Sequence, residues 1–477
     1  MQTRNAVAII GAGFSGSLLA LHLLESGPED LTIFLIERAA GFGRGLAYGT
    51  RDPHHLLNVR VGNMSAFPDR PRHLEQWLAS WGDDEIAHPA AFITRRAYGD
   101  YLGSMLRAAV SRPNGAGRLL LVHDEVVRLA PSGRGLRLTL AMGTQLDVEA
   151  AALAIGNLPS APPAGVDLTG LPDGLYAADP WAETALHRLS KTAPVLLLGT
   201  GLTMVDIALS LKARGHEGTL FGLSRRGLTP RRHGGLPPAA HETPKIPDVS
   251  LSRLLRWQRE RARKLGWREA IDALRPATQA LWRGASKEKR RRFLRHLRPW
   301  WEVHRHRMAP AVADQIEALS ASGQLVIAAG RLVSASQRGM SVEVFWRPRG
   351  GGHDQAAGFG RIINCTGPGG DPSLAGPLIR SLIAEGAGRA DPLRAGLEVD
   401  DACRLIGAGG TVNPRLYAVG PITKGSFWEV SAVPDIRNQV VEVAASILAQ
   451  LAAQPVVVAT HAAEGASPFR SYDRPIL

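Results

Sequence analysis

Gly11, Gly13 and Gly16 are spaced as G-x-G-x-x-G in the stretch GAGFSG, and an acid, Glu37, follows 21 residues after the last glycine. Those residue types at that spacing suit one task. Glycines let backbone amides come close to a pyrophosphate, and the amides of a helix N-terminus, helped by its dipole, favour an anion. Phe14 and Ser15 complete the turn, and the Glu37 carboxylate can accept hydrogen bonds from an adenosine ribose. A second set repeats the turn. Gly199, Thr200 and Gly201 lead into Leu202 and Thr203, with Met204 where a third glycine would stand. That change loosens helix–strand packing and leaves the phosphate turn open. Here the following strand ends in Ser224, Arg225 and Arg226 instead of an acid. Guanidinium forks bind a 2′-phosphate that a carboxylate would repel.

The elements that must position these residues are legible around them. AVAII (6–10) reads as a buried parallel strand, a helix follows from about Ser15 to Glu25, and LTIFLIE is the next strand. PVLLL and GTLFGLS frame the second turn in the same way. The expected fold is therefore α/β, with two Rossmann-like dinucleotide-binding domains. Two such units, the first ending in Glu and the second in Arg, indicate FAD in the first and NADPH in the second. The flavin domain is interrupted by the nucleotide domain. Residues 1–160 form its first part, 190–235 with 310–358 the NAD(P) domain, and 359–455 the returning part. VEAAALAIGN, with Gly156, returns to the first sheet, and GRIINCTGPGG, with Gly367, repeats that strand-then-glycine pattern. RLYAVGPIT supplies a last strand ending at Gly420. The helix after it carries Pro434 near its first position, as Pro prefers. In this topology its N-terminus points at the flavin pyrimidine edge and favours negative charge there.

Composition narrows the function further. A 477-residue chain with 45% hydrophobic and 21% charged residues is a globular protein of two or three domains. Two cysteines, Cys365 and Cys403, with no C-x-x-C, leave no dithiol redox motif and suit a reducing compartment. No apolar run reaches the roughly 18 residues of a membrane span, and the chain enters its first strand almost at once, so a cytoplasmic location without a membrane partner is expected. The net charge of +13 is local, since residues 251–310 hold 18 Lys/Arg against 5 Asp/Glu. Residues 236–310 form a basic insert with Trp257, Trp267, Trp282, Trp300 and Trp301. It reads as a helical subdomain with tryptophans as core and arginines outward. No nucleic-acid fold accompanies the charge, so DNA or RNA is disfavoured over an anionic small molecule or NADP. His304 and His306 stand two apart with no third ligand at metal spacing, so no metal is expected. The tail, 456–477, reads as flexible.

Several stretches together resemble the bacterial NAD(P)/FAD-binding proteins related to N-hydroxylating and FMO-type flavin monooxygenases. They are GRGLAYGTRDPHHLLNVRVGNMSAFPD, FITRRAYGDYL, GTGLTMVDIALSL, LSRRGLTPRRH, WWEVHRHRMAP and LYAVGPITKGSFWEVSAVPDIRNQ. The resemblance implies that NADPH reduces FAD and that the reduced flavin meets molecular oxygen. A flavin C4a-hydroperoxide would then hydroxylate a small molecule, nitrogen being one target. It also implies that the loop 41–64 passes over the flavin, with Arg44, Asn58 and Asn63 as its nearest polar groups. Asn58, Asn63 and Lys424 are the candidate catalytic positions, and His304, Arg305 and Trp428 the candidate substrate contacts. Two alternatives stay open. One is an NADPH-dependent flavin reductase or oxidase without an oxygenated substrate, the other a flavin-bound redox sensor that uses the basic insert to bind a partner. A homo-oligomer is compatible with either.

Overall fold

Five apolar residues, Ala6–Ile10, form the central strand of the first sheet and all are buried. A run buried on both faces needs cover on both, which is the parallel-sheet situation. In a computed structural model of the chain, residues 5–113, 115–133, 135–160, 163, 165–235 and 243–453 are described. The sequence-expected tail and the first residues of the insert lie outside them. The first sheet has six strands, in the spatial order Arg404–Ile406, Val412–Ala418, Ala150–Leu153, Ala6–Ile10, Thr32–Glu37, Leu119–His123. Its pairings are parallel except for the Arg404–Ile406 edge. The helix Phe14–Ser26 and the closing helix Val433–Ala452 pack together on it.

The second sheet runs Gln355–Phe359, Ser341–Pro348, Leu325–Arg338, Leu220–Ser224, Val195–Leu198, Arg361–Asn364, Tyr176–Ala177. Its four last-named strands are mutually parallel, as is the join to Leu325–Arg338. This corrects one boundary. GRIINC was expected to open the returning half of the flavin domain, yet Arg361–Asn364 pairs with Val195–Leu198 from Arg361↔Val195 to Asn364↔Leu198. Four buried residues in a row fit the middle of either sheet, and periodicity does not say which. The return to the first sheet comes only with Arg404–Ile406 and Val412–Ala418.

The two units meet through a buried polar cluster. Arg95, at the start of the helix Arg95–Ser111, pairs with Asp206 of the helix Leu202–Ala213 at 2.6 Å. His55 reaches the Ser210 hydroxyl at 2.9 Å, and Ser210 also donates to Asp52.

The insert is helical, in shorter pieces than its spacing suggested. Gly266, at φ +89°, separates Leu251–Leu265 from Trp267–Leu274, a conformation that costs a side-chain-bearing residue dearly. Lys287–His296 and Arg298–Arg305 break at Leu297, just before Pro299. Four contacts dock the insert on the first unit's segment 424–435. The Trp282 indole N–H donates to the Gly425 carbonyl (2.8 Å), and Trp301 N–H to Glu429 (2.9 Å). Arg305 pairs with Glu429 (3.0 Å) and Arg275 with Asp435 (3.4 Å).

A Cβ on Gly16 would stand 1.9 Å from the Gly11 carbonyl oxygen, so the first helix depends on that glycine for its approach to the sheet. Gly16→Ala is expected to destabilise the chain by about 1–3 kcal/mol. Gly201→Ala, whose Cβ would meet nothing within 4 Å, should leave the melting temperature unchanged. Thermal melts of the two variants check the contrast.

Candidate dinucleotide and active site

The two glycine turns are built alike. Gly11 has φ +102°, and a Cβ there would lie 2.5 Å from the carbonyl of Ala154, just past the neighbouring strand. Gly199 has φ +105°, and its Cβ would lie 2.3 Å from the carbonyl of Cys365, just past its own neighbouring strand. Two residues further on, Gly156 and Gly367 both take positive φ with nothing within 4 Å of a Cβ. Each unit thus presents a pressed-in glycine beside bare backbone, which a phosphate or ring can approach. The domain correction above moves Gly367 to the second unit.

In the first unit the loop after Thr32–Glu37 crosses the turn. Gly43 N–H donates to the Ala12 carbonyl (2.8 Å), and a Cβ on Gly45 would stand 2.8 Å from Gly13 Cα. Arg44, on this loop, pairs with Asp100 of the helix Arg95–Ser111 at 2.5 Å. The Glu37 carboxylate accepts from Ala12 N–H (2.8 Å) and Ala39 N–H (2.9 Å), which fixes it at the turn. Behind it Phe14, Tyr48 and Tyr98 form an aromatic wall, with Tyr48 and Tyr98 centroids 4.7 Å apart. Burial pushes the Tyr48 phenol up to about 12 and the Tyr98 phenol up as well, so both remain protonated. The Tyr98 hydroxyl is buried without a partner among the described residues. A buried orphan donor beside the turn fits a bound group that supplies the acceptor. Gly420 closes the cradle at φ +76°. Its N–H donates to Gln439 of the closing helix (2.7 Å), and a Cβ on it would sit 2.5 Å from the Ser15 hydroxyl. Pro434 stands in the first turn of that helix, as expected.

In the second unit Gly201 caps the helix that begins Leu202-Thr203, and Met204 is fully buried under it. Ser224 does not face outward to a phosphate. Thr200 donates to Leu228 O (2.5 Å), and its Oγ1 lies 2.8 Å from Ser224 Oγ, which accepts from Gly227 N–H (3.0 Å) and has its own proton for Thr200. Ser224 therefore holds the turn. Arg225 is exposed, and Arg226 lies 5.9 Å from the centre of the Trp300 ring. Neither has a carboxylate partner among the described residues. This pair, rather than the trio, is the 2′-phosphate candidate.

The remaining expected residues separate. Asn58 offers its backbone carbonyl to His233 (3.0 Å), and Asn63 is exposed at the end of a single 3-10 turn. Trp428 is not open to a ligand, because its ring is 5% exposed, stacked on Trp282 at 4.7 Å and edge-on to Phe293. His304 and Arg305 diverge from one helix. His304 lines a groove of about 840 Å³ beside the second unit, with Gly227, Thr229, Arg231, Trp267 and Arg268. Arg305 points to the first unit and is spent on Glu429, the two side chains being 10% and 2% exposed. Lys424 lies over the Trp428 ring at 4.8 Å with no hydrogen-bonded partner among the described residues. Burial lowers its pKa, against the pull of Glu302 and Glu429. Burial would raise the Glu429 carboxyl, but Arg305, His306 and the Trp301 N–H outweigh it and hold it below the usual range. Tyr98, within the FITRRAYGDYL stretch, and His306, weighed only as half of a metal pair, were not singled out as site residues, because their enclosure is not announced by neighbours in sequence. Among the described residues no cluster could hold a metal ion, and no helix is long and apolar enough to cross a membrane.

Comparison with known proteins agrees with this geometry. Residues 8–158 match the FAD-NAD(P)-binding family, so the chain carries an FAD-NAD(P)-binding domain. An uncharacterized protein of Mycobacterium tuberculosis is 23% identical, across 95% of this chain and 96% of its own. The L-aspartate N-monooxygenase of Streptomyces cremeus is 28% identical over 49% of this chain and 40% of its own. Among solved structures, the ornithine N-hydroxylase of Kutzneria sp. 744, in complex with reduced FAD, NADP⁺ and L-ornithine, has TM-score 0.65. It is 16% identical, covering 93% of this chain and 99% of its own. The fold is shared over nearly the whole chain.

Burial pushes the His306 imidazole down to about 4, with Arg305 adding to the effect and Glu429 and Glu302 opposing it. In the unfolded chain a histidine gains its proton near pH 6.5. The unfolded state therefore binds more protons between these values, and stability present above about pH 6.5 is lost as pH falls toward 4. His306→Gln should flatten the decline in melting temperature between about pH 6.5 and 4.5, by the equivalent of about 1–2 kcal/mol after allowing for partial exposure. Parallel declines in wild type and variant would reject this.

Proposed function

We propose that this protein is an FAD- and NADPH-dependent monooxygenase that hydroxylates a small molecule at a nucleophilic nitrogen. The observation that carries the reading is the pair of matched glycine turns in one chain, one beside Glu37 and the other beside Arg225 and Arg226, which have no carboxylate partner among the described residues. The first holds FAD through the amides at Gly11–Gly16 and Glu37, under the wall of Phe14, Tyr48 and Tyr98. The second holds NADPH through Gly199–Thr203, with Arg225 and Arg226 on its 2′-phosphate. When bound, FAD and NADPH would supply the redox and oxygen chemistry. The chain's own residues orient and enclose. The closing helix, whose first turn follows Ala432, directs its positive dipole end toward the cradle. Lys424, which lies over the Trp428 ring where the insert docks, is the polar group assigned to the substrate side. The names of the relatives, an aspartate N-monooxygenase and an ornithine N-hydroxylase, support nitrogen as the target.

A dithiol reductase reading has no support in the chain. Cys365 and Cys403 are buried and unpaired, and burial raises both thiols, Cys403 to about 12. A simple NADPH oxidase differs from a monooxygenase in coupling. Purified protein should retain FAD, and with a panel of small amines one substrate should draw NADPH consumption into hydroxylated product instead of hydrogen peroxide. Peroxide accounting for all NADPH, whatever amine is present, would replace the monooxygenase reading with an oxidase. Arg225→Ala should raise the KM for NADPH about tenfold or more while leaving that for NADH nearly unchanged, since a guanidinium–phosphate pair acts only on the phosphorylated nucleotide. Steady-state kinetics with both nucleotides measures this.

A further inference from the structure

The insert occupies the crossover that follows the strand Leu220–Ser224, and it returns beside the exit of that strand. Three backbone bonds fix the return. Arg231 N–H donates to Val303 O (2.9 Å), Met308 N–H to Arg231 O (2.8 Å) and His233 N–H to Met308 O (3.0 Å). The insert's last helix, Arg298–Arg305, is thereby held at a set position relative to Arg225 and Arg226. Its Trp300 differs from the insert's other tryptophans. Trp282 is buried, and Trp301 is tied to Glu429 through its N–H. Trp257 and Trp267 are half-buried and carry arginines closer over their rings, Arg261 at 5.2 Å on the first and Arg268 at 4.4 Å with Arg307 at 5.1 Å on the second. Trp300 is 43% exposed with no hydrogen bond to its indole N–H among the described residues, and the Arg226 guanidinium stands 5.9 Å from its ring centre.

We infer that Trp300 is the stacking wall for the adenine of NADP(H), brought to the nucleotide by the insert. The inference rests on the NADPH reading above and adds to it a residue outside the dinucleotide fold itself. Adenine is joined through a single ribose to the 2′-phosphate, so wherever Arg225 and Arg226 grip that phosphate, the base lies within a sugar's length of them. A broad aromatic face left open to water at that distance is matched by the π-face of a base, and base–aromatic stacking is tolerant of exact position. Arg226 then serves both partners, as a cation near the indole face and as a fork on the phosphate. The basic insert thus acts as the second wall of the nucleotide site, opposite the glycine turn.

The test is equilibrium binding of NADP⁺ and of 2′,5′-ADP to the full-length FAD-loaded protein by calorimetry. Trp300→Ala should weaken both about tenfold, and Trp300→Phe, which keeps an aromatic face, by less than about threefold. Addition of 2′,5′-ADP should quench part of the wild-type tryptophan fluorescence, and that part should be missing from Trp300→Ala. Unchanged flavin content and melting temperature in Trp300→Ala, expected for so exposed a side chain, separate lost stacking from lost folding. Unchanged affinity of Trp300→Ala for 2′,5′-ADP, with Arg226→Ala weakened, would overturn the role of Trp300 while sparing the NADPH reading. Wild-type protein that binds neither 2′,5′-ADP nor NADP⁺ would overturn both.

Discussion

The structure depends on backbone pressed against backbone at two glycines. Gly11 lies against the carbonyl of Ala154, and Gly199 against that of Cys365, each at a distance that leaves no room for a Cβ. Both have positive φ, which other residues adopt only with strain. The contact draws the first strand of each unit against its neighbour at the strand ends. It also leaves the amides of the following helix uncovered, and these are what a dinucleotide pyrophosphate needs. The same geometry appears twice in one chain, down to the open glycine two residues beyond each carbonyl, Gly156 and Gly367.

The remaining architecture joins these two turns and covers them. Charged residues do much of the joining, through the Arg95–Asp206 pair between the units and the Arg305–Glu429 pair between insert and first unit. Burying such pairs brings little net stability, because desolvation offsets the attraction, but each strongly penalises an arrangement that leaves one member alone. Their effect is to fix orientation. Glu429 illustrates this, since one carboxylate receives both the Trp301 N–H and Arg305 and so sets where the insert's last helix lies. The orientation puts His304 on the groove beside the second unit and Arg305 on the opposite side, from adjacent positions on one helix.

Much of this was legible in the chain. The strand–turn–helix units, the Glu37 and Arg225–Arg226 contrast, and the proline at the start of the closing helix are local patterns, and the structure shows each in place. The insert's helices were legible as helices but not in their breaks. Gly266 and Pro299 interrupt stripes whose apolar spacing runs on through them. Arg361–Asn364 was assigned to the wrong sheet, because an all-buried strand carries no mark of its neighbours. Trp428, with cationic and acidic neighbours in sequence, read as a ligand contact and is instead enclosed between Trp282 and Phe293. Ser224 was counted with the arginines and serves the turn.

By itself, then, the sequence determined the two glycine turns, the acid that follows one and the arginines that follow the other, and the helical nature of the insert. All of these follow from conformational demands that act within a few residues, such as positive φ, helix capping and apolar period. Only the tertiary structure decided which sheet the strand after residue 360 joins and which charges are consumed as struts. It also decided which tryptophan remains open beside the arginines. Those outcomes depend on which distant surfaces meet, and a side chain's partner is chosen by that meeting, not by its neighbours along the chain.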